Sequence, residues 1–267
     1  MAEQRVLITG GALRLGAELC QAFGAAGWHV LCHCNRSRTE AEALQQRLRT
    51  AGMHIDVVQA DLANGEQRAQ LFEHILDRFG PVDGLINNAS LFEPDTGLEW
   101  EPELARRQLE VNLLAPLSLA SLLAKQATEP ATETPSRFVI HVLDQKVLNL
   151  NPDYFSYTIS KLALERAVAL QAQALAPHAR VCGVAPGLLY ESGPQSTANW
   201  LKASRVNLLR RPTSPADVAQ TALFLARTPS ITGVTIAVDN GQHLVPLERD
   251  VMFVVEELLG NTTSDTP

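Results

Sequence analysis

The chain has 267 residues, 46% of them hydrophobic and 19% charged, with a formal net charge of -7. That apolar content excludes disorder, and its even interruption by charge excludes membrane-spanning stretches. The acidic balance excludes a nonspecific nucleic-acid surface, which would need clustered Lys and Arg.

The N-terminus, MAEQRVLITGG, runs straight into a strand-like segment without the charged and long apolar regions of a signal peptide, so export is not expected. Short β-branched runs then recur as RVLITG, HVLCHC, IDVVQAD, GLINNA, RFVIHVL, ARVCGVAPG and GVTIAVDNG, each the length of a buried parallel strand. Between them GAELCQAFGAAG, EAEALQQRLRTAG, EQRAQLFEHILDRFG, KLALERAVALQAQALA and SPADVAQTALFLART place apolar residues three or four apart, as amphipathic helices do. Gly in AAGWHV, TAGMHI and RFGPVD ends a helix before the next strand. QATEPATETPSR is the one Thr/Pro/Glu-rich interruption, short enough for a surface loop.

The alternation predicts an α/β fold: a single Rossmann-type, doubly wound parallel sheet of about seven strands with about six helices on both faces. Residues 1–267 read as one domain with a C-terminal extension from about 245. Cys20, Cys32, Cys34 and Cys182 show neither CxxC spacing nor a companion His cluster. Neither a disulfide framework nor a metal site is expected, and reduced thiols in a cytoplasm fit.

The first strand empties into TGGALRLG, where Gly10 and Gly16 flank a turn and a helix follows from Ala17. The free N–H groups and dipole of that helix suit a dinucleotide pyrophosphate. Arg14, in the loop, offers a fork of donors to a phosphate or a substrate anion. About twenty residues on, where an NAD enzyme sets an acid on the ribose hydroxyl, the chain reads CNRSR. Arg36 and Ser37 suit a 2′-phosphate, so NADP(H) is expected over NAD(H), while Glu40 and Glu42 fall in the next helix.

Tyr157 precedes Lys161 by one helical turn, which puts a phenol and an ammonium that stabilises phenolate on one face. Tyr154 has no lysine four residues on. Asp144 stands thirteen residues before Tyr157, at the end of the fifth strand. A carboxylate there repels an alkoxide and suits a substrate that offers N–H donors or a nitrogen to be protonated.

The ordered set TGGALRLG, Asp61-Leu62, NNAS, Asn112, YTISK and Pro186-Gly187 resembles the short-chain dehydrogenase/reductase family across nearly the whole chain. The resemblance implies hydride transfer between NADP(H) and a carbonyl or imine-like bond, with Tyr157 handling the proton. It implies that Lys161 also holds the nicotinamide ribose and that Asn112 supports a proton-relay water. The implied cofactor cleft comprises Gly10, Arg14, Leu15, Gly16, Arg36, Ser37, Asp61, Leu62, Asn88, Ala89, Ser90, Pro186, Gly187 and Leu188 with Tyr157 and Lys161.

Asp144 replaces the family's usual serine. With Arg14, Arg36-Ser37 and NNASLF, which puts Phe92 where a flat ring would stack, it makes the chain similar to pteridine and dihydromonapterin reductases. That similarity implies NADPH-dependent reduction of a small-molecule pterin, dihydropterin to tetrahydropterin, with substrate contacts from Arg14, Ser90, Phe92, Asp144 and Tyr157. The alternatives are a reductase of a ketone or 3-oxoacyl thioester, and a noncatalytic NADP(H)-binding sensor. The family also implies a homotetramer, and the apolar tail LVPLERDVMFVVEELLG, with Val251, Met252, Val254, Val255, Leu258 and Leu259, is expected to pack on a neighbouring subunit or on its own core.

Overall fold

Strands covered by helices on both faces must be apolar on both faces, and β1 (Arg5–Ile8) shows it: Val6, Leu7 and Ile8 are each 0% exposed. In the computed structural model, which describes residues 3–126, 137–193 and 195–255, β1 lies between β2 (His29–Cys34) and β4 (Gly84–Asn87). The other strands are β3 (Ile55–Gln59), β5 (Arg137–Val142), β6 (Ala179–Pro186) and β7 (Thr235–Val238). They form one parallel sheet of seven strands in the order β3-β2-β1-β4-β5-β6-β7. The order reverses at β1, so a crevice opens beyond the carboxyl ends of β1 and β4.

Side-chain alternation along the strands divides the core into two layers. Val6, Ile8, Val30 and Cys32 pack with Phe23 of α1 (Arg14–Ala25), Leu44 of α2 (Arg38–Thr50) and Leu223 of α8 (Pro215–Arg227). Leu7, Leu31 and Leu85 pack with Phe72 of α3 (Gly65–Phe79), Leu119 of α5 (Ala115–Lys125) and Leu164 of α6 (Phe155–Leu175). Each such fully buried Leu or Phe contributes about 1.5–3 kcal/mol relative to exposure. Local chemistry sets the ends: the Asn64 side chain accepts from the N–H groups of Glu66 and Gln67 at the start of α3, and Gly80, at φ 84, ends it.

All seven expected strands form, and each of the five quoted amphipathic stretches lies in a helix, where about six helices were expected. The structure adds α4 (Pro102–Leu109), a π-helical turn over Glu110–Leu114, α5, and the short α7 (Thr197–Ala203). α1 starts at Arg14 rather than Ala17, because Leu13 is extended and Arg14 turns the chain through φ 50.

Val251 and Val255 pack on Ala203, Leu188, Val206 and Leu247, and Met252 packs on Tyr154 and Tyr157, so the described part of the tail covers its own core. Leu258, Leu259 and most of QATEPATETPSR lie outside the described residues. No helix among the described residues is long and apolar enough to cross a membrane.

Candidate active site

The phosphate loop is built by close approach. Gly10 sits at φ 61, and a Cβ on Gly16 would lie 2.0 Å from the Gly10 carbonyl oxygen, so the first turn of α1 can meet the loop only without a side chain. Asn88 Nδ2 donates to the carbonyls of Thr9 and Gly10 at 3.0 Å each, and the N–H groups of Asn88 and Ala89 share Thr9 Oγ1 at 2.9 and 3.0 Å. The end of β4 is thereby clamped to the loop.

His33 supports the loop from beneath, a role that sequence reasoning missed. The Gly10 N–H donates to His33 Nδ1 at 3.2 Å, which assigns the ring proton to Nε2, 3.1 Å from the Ala60 carbonyl. Burial holds its pKa down to about 4, so the ring stays neutral. The only signal for it was a polar residue inside the apolar run HVLCHC.

A cleft of about 800 Å³ opens here and runs to α6. All the expected cofactor residues except Ser37 line it. Ser37 stands at the N-cap position of α2, where its side chain makes no capping hydrogen bond, and is not part of the lining. Arg14 donates to the Glu191 carbonyl at 3.3 Å and lies 5.7 Å from the Tyr190 ring centroid, joining the loop to the segment after β6. Arg36 is exposed in the cleft wall with no hydrogen bond or ion pair among the described residues, whereas Arg38 is taken by Glu42 and Gln59. Asp61 accepts from Asn35 Nδ2 at 3.2 Å and from the Ala63 N–H at 3.0 Å. At Gly187 a Cβ would meet Gln242 Oε1 at 2.7 Å, and that oxygen accepts the Leu188 N–H at 2.9 Å.

At the far end of the cleft the Tyr157 hydroxyl donates to Asp144 Oδ2 at 2.9 Å, and the Lys146 N–H donates to Asp144 Oδ1 at 2.9 Å. Lys161 Nζ donates to the Val142 carbonyl at 2.8 Å and lies 5.7 Å from the Tyr157 ring centroid. Burial pushes the Asp144 carboxyl up, against the pull of Lys146, Tyr157 and Lys161. Burial, and then the charge of Asp144, push the Tyr157 phenol well above its ordinary value. Burial brings Lys161 down to about 8, opposed by Asp144. The direct hydrogen-bond partner of the Tyr157 hydroxyl is therefore Asp144, a contact that spacing did not reveal, while the Lys161 ammonium is bonded to the Val142 carbonyl and lies beside the Tyr157 ring.

Asn112 is fully buried in the π-helical turn and does not line the cleft. Its Oδ1 accepts from the Leu91 N–H at 2.7 Å and from Ser90 Oγ at 3.2 Å. Its Nδ2 donates to the Leu91 carbonyl at 2.9 Å and to Ser160 Oγ at 3.0 Å. All four bonding positions of the amide are used within the protein, so the side chain holds the loop after β4 against α6 and is not free to bind a relay water.

Phe92 stacks on Tyr154 at 4.0 Å and 18°, and meets Tyr157 edge-on at 4.6 Å and 85°. Tyr154, which spacing set aside, forms a wall of the cleft from a left-handed backbone at φ 54. Lys146, Tyr190, Asp250 and Met252 also line the cleft and had no local signal. The fold also gathers a cluster that spacing did not reveal, Glu3, His29 and His54, near the amino ends of β1 to β3. The two rings stack at 3.6 Å and 4°, so their lone pairs run parallel rather than converge on one ion.

A glycine phosphate loop at the switch point of a doubly wound sheet, with a half-buried Asp144 beside the buried Tyr157 and Lys161 at the other end of its cleft, defines a dinucleotide-dependent oxidoreductase. The chain matches the short chain dehydrogenase family over residues 4–200 and belongs to it. Its structure is similar to that of FolM Alternative dihydrofolate reductase 1 from Brucella canis complexed with NADP: 38% identity, TM-score 0.84, 91% of this chain and 95% of that one covered. It is 30% identical to Pteridine reductase 1 of Leishmania tarentolae over 89% of this chain and 96% of the relative. It is 24% identical to the 3-oxoacyl-[acyl-carrier-protein] reductase FabG of Staphylococcus epidermidis over 89% and 98%.

Proposed function

We propose that the protein reduces a dihydropterin to a tetrahydropterin with NADPH. The observation that carries this reading is the Tyr157–Asp144 bond: a carboxylate accepts the phenol where a ketone reductase would set a neutral hydroxyl, beside the Phe92 ring. A likeness to NADP-bound and pterin-reducing relatives supports it.

The residues present fit the dinucleotide. The cradle at Gly10 and Gly16 admits a pyrophosphate against the start of α1, and Arg36, near the end of β2 and without a partner among the described residues, is suited to a 2′-phosphate. Asp61 and Leu62 would flank the adenine, and Pro186, Gly187 and Lys161 the nicotinamide riboside. The bound cofactor supplies a hydride. The chain does the rest: Phe92 orients a flat ring, Tyr157 delivers its hydroxyl proton to the ring nitrogen, and Lys161 stabilises the phenolate left behind. Asp144 accepts substrate N–H groups and steers Tyr157.

Assembly as a homotetramer belongs to the same reading. Among the described residues Leu98, Leu114 and Leu170 are exposed and offer apolar surface to such contacts. The four free, buried cysteines suit a reducing cytoplasm. NADPH oxidation measured against dihydropterins, dihydrofolate, simple ketones and a 3-oxoacyl thioester tests the assignment: turnover of a dihydropterin is expected, and turnover of ketones or thioesters alone rejects it.

A further inference from the structure

The segment after β7 folds back over the cleft and is fastened there by charge. Lys146 Nζ meets Asp250 Oδ2 at 2.8 Å, with side chains only 4% and 16% exposed. Arg249 grips the Asp153 carboxylate through Nε and a terminal nitrogen at 2.8–3.0 Å, and Asp153 Oδ2 also accepts the Asp250 N–H at 2.7 Å. Asn149 Nδ2 donates to the Val245 carbonyl at 2.8 Å, and Asn199 Nδ2 to the Met252 carbonyl at 2.9 Å. These ties bring Asp250, Val251 and Met252 into the cleft wall, with Met252 against the rings of Tyr154 and Tyr157.

Lys146 connects that wall to the reacting groups. Its N–H is bonded to Asp144, its ammonium to Asp250 and, at 2.7 Å, to Asn151 Oδ1, and the ammonium lies 5.8 Å from the Tyr154 ring centroid. A buried ion pair adds little net stability over an apolar pair of the same volume, because both ions must be desolvated. What this pair adds is position and field.

We propose that Lys146 is a positioning residue: through its buried pair with Asp250 it latches the segment 245–252 as the outer wall of the substrate cleft, and it presents the Asp144 carboxylate to Tyr157. The inference rests on the reading of Asp144 as part of the reacting site. The groups facing Asp144 are Lys146 from its own loop, Tyr157 and Lys161 from α6, and Asp250 behind Lys146 and Tyr157. Burial drives Asp144 toward its neutral form, and Lys146 is the foremost of the cations that oppose it. Without that ammonium Asp144 takes up its proton at a higher pH, and Asp250 is left as an unpaired charge in the wall.

The test compares wild type, Lys146→Met, Lys146→Arg and the charge-neutral pair Lys146→Met with Asp250→Asn, using whichever acceptor wild type turns over best. Lys146→Met is expected to move the acid limb of kcat/KM upward by about one pH unit or more. It is also expected to raise the acceptor KM about tenfold while the Kd for NADPH stays within about twofold of wild type. The double variant should recover most of the KM and keep the shifted limb; Lys146→Arg should retain the wild-type limb. An unmoved limb and KM in Lys146→Met, or an unmoved limb in the double variant should the single one not fold, overturn the proposal, as does a loss confined to thermal stability. A wild type that reduces a ketone and ignores every pterin sinks the pterin assignment but leaves this comparison readable.

Discussion

The hydroxyl of Tyr157 is bonded to Asp144 Oδ2 at 2.9 Å, although the two residues stand thirteen positions apart in different elements. Asp144→Asn removes the charge and keeps the size, so pterin kcat/KM should fall by about 100-fold or more with NADPH binding unchanged. Tyr157→Phe should cost at least as much. If the two serve one proton path, the double variant loses less than the product of the single losses. Steady-state kinetics on the three variants decide it, and a fully active Asp144→Asn would reduce the carboxylate to a structural substitution.

Cofactor choice rests on Arg36, a cation in the cleft wall near the end of β2 with no partner among the described residues. Wild type should prefer NADPH over NADH by at least about tenfold, roughly 1.4 kcal/mol. Arg36→Ala should narrow that ratio with little effect on turnover with NADH. Kd values for both nucleotides, from fluorescence titration, read it directly.

A Cβ on Gly16 would lie 2.0 Å from a backbone oxygen, and no side-chain rotation relieves a clash with backbone. Gly16→Ala should therefore open the phosphate loop, lowering NADPH affinity more than about tenfold and costing about 1–3 kcal/mol of stability. Thermal melts with and without NADPH separate the two losses: the variant should melt lower and gain little from added cofactor.

His33 and His141 are buried neutral, each with its pKa lowered by burial from 6.5 to about 4. A base whose folded pKa is depressed stabilises the fold above its unfolded value and loses that contribution as pH falls. Here the loss runs from about pH 6.5 down through about 4, up to about 3 kcal/mol for each ring. Acid unfolding followed by circular dichroism should set in within that window. His33→Asn, which keeps an acceptor for the Gly10 N–H and cannot be protonated there, should move the onset to lower pH; an unmoved onset would assign acid unfolding to other groups.

What the sequence determined by itself is what local spacing encodes. β-branched runs marked seven strands because both faces of a parallel sheet are buried, and apolar residues three or four apart marked five helices. The loop between Gly10 and Gly16, and the turn from Tyr157 to Lys161, are each contained in one short stretch, and all four residues line the cleft. What only tertiary structure decided are the meetings between stretches. His33 reaches Gly10 because β2 lies beside β1, and Tyr154 faces Phe92 because the loop after β4 folds onto the start of α6. Asn112 spends its amide on Leu91 and Ser160, and Lys146 finds Asp250 only when the tail crosses the cleft. The physical reason is that a buried polar atom takes the partner brought to it by packing, and packing brings together residues far apart in the chain, about which spacing along one segment says nothing.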